Sequence, residues 1–260
     1  MTQIHDMNTY LTRMDASLPD KCWWLDHIPD TISTVIDFGC AAGNLKTTLD
    51  ELAPGRFNYI GIDNSPDMLA ICKDKGLAAY GDISEARYDP AKTILVLNSV
   101  IHEILHYMSK EDSFTLLSQL CELSIKYIAI RDMNIGHSRD SKCSFIVSKI
   151  LQSRFAAKWE DYINQNPHSV VPTVDQENVR VKEFLLKYWY EENWERERDE
   201  QYLFNIGILG EYWLFINPEY QIVHDSDFYI PWVRNKIHDD FGVWYDEPTH
   251  KKMLLKLKGD

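Results

Sequence analysis

Between residues 34 and 133, short apolar runs alternate with segments that carry helical spacing and helix punctuation. "STVIDFG" reads as a buried strand ended by glycine. "NLKTTLDELAPG" follows with helical spacing at Leu45, Leu49 and Leu52 and a Pro-Gly stop. "FNYIGID" is a second strand. In "SPDMLAICKDKG", Ser65 suits the cap, Pro66 the first helical position and Gly76 the residue past the end. "LAAYGD" is a weaker third strand, and "TILVLNS" a fourth, apolar enough for a parallel sheet covered on both faces. "SKEDSFTLLSQLCELS" is a helix with Ser109 and Asp112 as a capping-box-like pair, and "KYIAIRDM" is a fifth strand. This alternation specifies a doubly wound α/β sheet with right-handed crossovers. Ligands of such sheets bind beyond the carboxyl ends of the strands, where strand order reverses.

After about residue 136 the pattern turns helical. "SFIVSKILQSRFAAKWEDYI" and "VRVKEFLLKYWYEENWERERDEQYLF" flank a loop with two prolines. In the second stretch Val181, Phe184, Leu185 and Tyr188 share a face. Strand-like text returns at "YQIVHDSDFYIPW" and "HKKMLLKLK". The expected arrangement is an N-terminal helical segment (1–33), an α/β core (34–135 and 216–260) and a helical insertion (136–215) acting as a substrate cap. Tyr10, Arg13, Trp23 and Trp24 are candidates for a segment that closes over the core. The insertion holds many aromatics, Trp159, Tyr162, Trp189 and Trp213 among them, suited to a core or an acceptor pocket.

The 260 residues carry a net charge of −13, which disfavours holding duplex nucleic acid by broad phosphate neutralisation. There is no run of about 18 apolar residues and no secretory leader. Five scattered cysteines without a CxxC pair read as reduced thiols, and the expected compartment is the cytoplasm.

The densest cluster of small residues is "VIDFGCAAGNL", directly after the first strand. A nicotinamide enzyme would carry G-x-G-x-x-G here, and this order does not fit it. The segment resembles motif I of class I S-adenosylmethionine (SAM)-dependent methyltransferases, D-x-G-x-G-x-G. Asp37, Gly39 and Gly43 match, and Ala41 stands at the middle glycine. "YIGIDNSPDML" resembles that family's second strand, which ends in an acidic residue; Asp63 lies 20 residues after Gly43. "YGDIS" resembles its third-strand motif and "ILVLNSVIHEI" its fourth. The resemblance covers residues 34–133 in order, and it implies a seven-stranded, mostly parallel Rossmann-like sheet with SAM as cofactor. Asp37, Gly39, Cys40, Ala41 and Gly43 would then meet the methionine part. Asp63, with Asn64 and Met68 beside it, would take the ribose hydroxyls. Asp82 would accept from the adenine amino group with Ile83 against the ring, and Asn98 and Ser99 would border the sulfonium. It also implies transfer of a methyl group to an oxygen or nitrogen of a small molecule. An RNA acceptor and a SAM-binding domain without catalysis are the alternatives.

An acceptor hydroxyl or protonated nitrogen needs a proton acceptor, and His102 is the first choice because a near-neutral imidazole suits that task. Glu103 and Asp132 follow. "HEILH" (102–106) also matches the H-E-x-x-H zinc pattern, and small-RNA 2′-O-methyltransferases hold a metal with Glu and His near this point. No third ligand is evident in the sequence, and no metal is expected. The sequence does not set the oligomeric state.

Overall fold

The computed structural model describes residues 17–134, 143–166 and 176–259. Tyr10, Arg13 and most of the proline-bearing loop lie outside them. In chain order the elements are α1 (Leu18–Lys21), a 3-10 turn (Trp23–His27), β1 (Thr34–Phe38), α2 (Leu45–Leu52), β2 (Asn58–Ile62) and α3 (Pro66–Asp74). Next come β3 (Ala78–Tyr80), β4 (Thr93–Asn98), α4 (Ile101–Tyr107), α5 (Lys110–Glu122) and β5 (Tyr127–Met133). Then follow α6 (Cys143–Leu151), α7 (Ala156–Gln165), α8 (Gln176–Lys187), α9 (Trp194–Asp199) and α10 (Ile206–Ile216). The last elements are β6 (Tyr220–Phe228), α11 (Pro231–Phe241) and β7 (His250–Leu257).

The strands form one seven-stranded sheet in the order β3-β2-β1-β4-β5-β7-β6. β1 pairs in parallel with β2 and β4, β2 with β3, and β4 with β5. β7 runs the other way: Leu257 N–H bonds Lys126 O, and Asn134 N–H bonds Thr249 O. The order reverses between β1 and β4, so the small-residue turn after β1 and the Asn98-Ser99 pair after β4 flank the switch point. All six residues of β4 and all seven of β5 are buried, β5 carrying Arg131 and Asp132 among its apolar residues.

The local signals explain the helices. Ser65 Oγ accepts from Met68 N–H at 3.4 Å with Pro66 opening α3, and Ser109 Oγ accepts from Asp112 N–H at 3.1 Å at the head of α5. The expected helix over 144–163 is broken, because Ser153 Oγ accepts from Phe155 N–H at 3.1 Å and starts a fresh turn. The "PW" end of the expected sixth strand is instead the start of α11, with Pro231 in its first turn.

By internal contacts the chain divides into two units. The sheet unit takes residues 17–132, 207–225 and 252–259. Its core joins Val35, Tyr59, Ile94 and Val96 to Leu45, Leu49, Cys72 and Trp24. The helical unit takes residues 133–134, 143–166, 176–206 and 226–251, around an aromatic core of Phe155, Trp159, Tyr162, Phe184, Tyr188 and Phe241. The expected face Val181, Phe184, Leu185, Tyr188 is buried throughout. The contacts draw the boundary differently from a single insertion at 136–215. α10 falls with the sheet, since Trp213 Nε1 donates to Leu117 O at 3.1 Å and Gly210 abuts Met253. α11 falls with the helices, through Val233, Ile237 and Phe241.

Candidate functional site

The carboxyl ends of β1, β2 and β3 are tied together by hydrogen bonds. Gly39 and Cys40 N–H both bond Ile62 O, at 2.8 and 3.0 Å, which folds the turn toward β2. Asp63 closes the junction: Oδ2 accepts from Ala41 N–H at 2.8 Å and Oδ1 from Ser65 N–H at 2.9 Å. Asp63 N–H in turn bonds Tyr80 O at 3.1 Å, two residues before Asp82. The small-residue turn, Asp63 and the approach to Asp82 thus stand on three adjacent strand ends. Asp63 uses one acceptor site on each oxygen for this scaffold, and a carboxylate offers about four in all.

The turn's backbone explains its residues. Gly39 and Gly43 have φ of +76° and +71°. A Cβ at Gly39 would lie 2.6 Å from Val100 Cγ2, and one at Gly43 would lie 2.6 Å from Leu77 Cδ1. These glycines set the path of the loop by making way for the protein's own side chains. Ala41, at the family's middle glycine, also has a left-handed φ of +46°. Lys75 Nζ bonds Ala42 O at 2.7 Å and also Asn44 Oδ1, pinning the loop from α3.

Asp37 is buried, and Tyr59 OH donates to its Oδ2 at 2.8 Å. Burial pushes its carboxyl up to about 6, with the Tyr59 bond and the Lys21 charge opposing. Cys40 is buried, and burial raises its thiol far above the ordinary range, so it is no nucleophile. Met68 is buried beneath α3, Asn64 and Asp82 are exposed, and Ile83 is half-buried. Asp82 accepts from Ser84 N–H at 2.8 Å, and hydrogen bonding from the Ser84 side chain, then from this N–H, lowers its pKa.

At the end of β4, Asn98 is buried; its Nδ2 donates to Lys21 O at 3.3 Å, while its Oδ1 has no partner. Ser99 has φ +56°; its N–H bonds Arg131 O at 2.7 Å, and its Oγ accepts from Arg131 Nη1 at 3.0 Å. The α1 residues Leu18 and Lys21 close a recess whose walls include Asp37, Gly39, Ala41, Asn44 and Asn98. It holds about 30 Å³, room for a water but not for an amino-acid tail. Lys21 is buried, and burial together with the Arg131 charge lowers its ammonium to about 8.

His102 stands in the first turn of α4. Its Nδ1 lies 2.7 Å from Asp132 Oδ1, while Asp132 Oδ2 accepts from the N–H groups of Ile101 and His102 at 2.8 and 3.2 Å. Asp132 is fully buried, so one carboxylate both caps α4 and orients the imidazole. With Nδ1–H donating to that carboxylate, Nε2 carries the basic lone pair. Glu103 is half-buried on the same turn. Such an imidazole also suits a metal ligand. Within the sheet unit, however, no three His, Cys, Asp or Glu donors converge among the described residues.

Among the residues of this site, the sequence did not single out Leu18, Lys21, Asn44, Tyr59, Lys75 and Arg131. Tyr59 had a usable signal, a polar tip in a strand flanking the turn. Lys21 had none, because it sits in a four-residue helix outside any motif.

No family model matches the chain, and no curated protein matches it. Solved structures do. A SAM-dependent methyltransferase from Archaeoglobus fulgidus is similar over 96% of this chain and 100% of its own, with 15% identity and a TM-score of 0.50. The plantazolicin methyltransferase BpumL, solved with a triazolic desmethylPZN analog and SAH, is similar over 97% and 87%, at 12% identity and a TM-score of 0.49. PKMT2 from Rickettsia typhi is similar over 89% of this chain and 49% of its own, at 12% identity and a TM-score of 0.48. The strand order, the reversed β7 and the Archaeoglobus structure agree: this chain has the Rossmann-like α/β fold of class I SAM-dependent methyltransferases.

Proposed function

We propose that the chain is a SAM-dependent methyltransferase acting on an oxygen or nitrogen of a small-molecule acceptor. The observation that carries this reading is the content of the switch point: a buried acidic residue, an orphaned amide oxygen and a carboxylate-oriented histidine on adjoining strand ends. The orphaned Asn98 Oδ1 and Asp37 fit an α-ammonium, and the remaining acceptor sites of Asp63 fit ribose hydroxyls. Asp82 and Ile83 are assigned to adenine, Asn64 and Met68 to the adenosine surroundings, and Ser99 to the sulfonium end. Leu18 and Lys21 must move outward to admit the cofactor, because the recess is too small as it stands.

SAM, when bound, supplies a methyl group already activated on sulfur. The protein's task is therefore to orient the acceptor, exclude water and take up a proton. His102 Nε2 takes the acceptor's proton, and Asp132 stabilises the resulting imidazolium while fixing its direction. Glu103 places a second carboxylate on that turn. The helical unit, with its aromatic core, selects the acceptor. Among the described residues no helix is long and apolar enough to cross a membrane, and all five cysteines are free thiols, which supports a cytoplasmic protein.

Calorimetric titration with S-adenosylhomocysteine tests the cofactor half of this reading. Wild type should bind, and Asp63→Ala should bind at least about tenfold more weakly, since a hydrogen-bonded carboxylate contributes about 1.5–3 kcal/mol. No binding by wild type, or equal binding by Asp63→Ala, overturns it. Incubating metabolite and RNA pools with labelled SAM then decides between a small-molecule and an RNA acceptor.

A further inference from the structure

The buried lysine at the end of α1 is not explained by the fold. An ammonium removed from water is costly unless a counter-charge or hydrogen bonds replace the solvent. Lys21 is 5% exposed, yet among the described residues no carboxylate lies within 4.0 Å of its Nζ and no acceptor bonds it. The cation that acts on it has its own partner: Arg131 Nε donates to Asp20 at 2.7 Å. The acidic groups that bear on Lys21, namely Asp37, Asp132 and Glu103, act at longer range.

Lys21 also lines the recess at the switch point. Asn98 lines the same recess, and its buried Oδ1 is an acceptor without a partner. The lining therefore combines a lysine without an ion pair, an amide with an unused acceptor and the buried carboxylate of Asp37. The backbone of residues 39–42 and the start of α2 complete the lining, and amide groups at a helix start favour an anion. An α-amino acid carries both complements, a carboxylate for the cation and an ammonium for the acceptors.

We propose that Lys21 pairs with the α-carboxylate of the cofactor, while Asn98 Oδ1 and Asp37 take its α-ammonium. This rests on the SAM reading and adds a charge-reading residue to it. Lys21 thus selects adenosyl compounds with an intact amino-acid tail, and it links α1 to the ligand it covers.

The test compares two ligands on two proteins by calorimetry. S-adenosylhomocysteine carries the full tail; its decarboxylated analogue keeps the ammonium and loses only the carboxylate. Wild type should prefer the intact compound by at least about tenfold. Lys21→Met should bind the analogue within about twofold of wild type and show no preference between the two, and Lys21→Arg should restore part of the preference. A preference unchanged in Lys21→Met overturns the assignment. So does equal weakening toward both ligands, which would make Lys21 a support for the fold. Binding of the analogue reports that the variant's site is folded. If wild type binds neither compound, the SAM reading fails and takes the assignment with it; if wild type binds both equally, only the assignment fails.

Discussion

Both units pair buried ions, Arg131 with Asp20 and His102 with Asp132 in the sheet unit, but the sheet unit also buries two charges without an ion pair among the described residues. In the helical unit, three buried cations meet carboxylates inside the unit. Lys187 Nζ lies 3.2 Å from Glu183 Oε1 and bonds Glu200 O at 2.7 Å, Lys182 lies 3.3 Å from Glu247, and Arg196 lies 3.2 Å from Glu200. Lys187 also sits over the rings of Tyr162 and Tyr202. In the sheet unit, Lys21 and Asp37 are buried without an ion pair among the described residues, around an amide oxygen with no partner. Buried ions paired within the protein hold elements together. Buried ions left unpaired lower the stability of the empty protein and are kept where a ligand completes them. On this contrast we read the helical network as architecture and propose the sheet cluster as a receptor.

The largest expected effect tests the architectural half. Lys187→Met leaves Glu183 buried without its cation and should destabilise the protein by about 3–5 kcal/mol in urea unfolding. Adding Glu183→Leu should recover most of that loss. A single variant that unfolds like wild type would erase the contrast.

The next effect tests the reacting end. His102→Ala should lower the turnover rate by roughly 10²–10⁴-fold while S-adenosylhomocysteine affinity stays within about twofold. Loss of affinity in step with rate would make His102 a binding residue.

Asp37→Asn sharpens the receptor half through stability and pH. The folded state holds the Asp37 proton up to about pH 6, against about 3.9 in an unfolded chain. Ionised Asp37 therefore weakens the folded state, by an amount that grows as pH rises from about 4 to 6 and is constant above. The substitution should raise the unfolding free energy of the ligand-free protein by about 2 kcal/mol at pH 7.5, and by little at pH 4. Urea unfolding at both values measures it, and a loss of stability at pH 7.5 would show that ionised Asp37 is compensated after all.

The smallest effect concerns the turn. Ala41→Gly relieves a left-handed φ and should stabilise the protein by at most about 1 kcal/mol, the strain less the entropy of glycine. Thermal unfolding checks its sign.

The sheet was legible because its evidence is local. A strand buried on both faces such as β4 is dominated by apolar residues, and Ser65, Pro66 and Gly76 punctuate α3 within a dozen residues. Glycines forced by positive φ are also local, so the loop after β1 could be placed with its acidic neighbours. The partnership of His102 and Asp132 was less accessible, because it spans 30 residues and depends on β4 and β5 being adjacent. Lys21 depends on which chain segment folds over the recess, and nothing in its own neighbourhood encodes that. The attachment of α10 and α11 to different units depends on which core each meets, which neither segment encodes by itself.

Asp132 serves two masters, the opening turn of α4 and the ring of His102. Oδ2 holds the head of the helix and Oδ1 holds the imidazole, so both are referred to one residue of the neighbouring strand. Turning the ring gives up the bond to Oδ1 and leaves the helix head fastened. An imidazole held this way is already oriented in the folded chain, and the cost of orienting it is met when the chain folds.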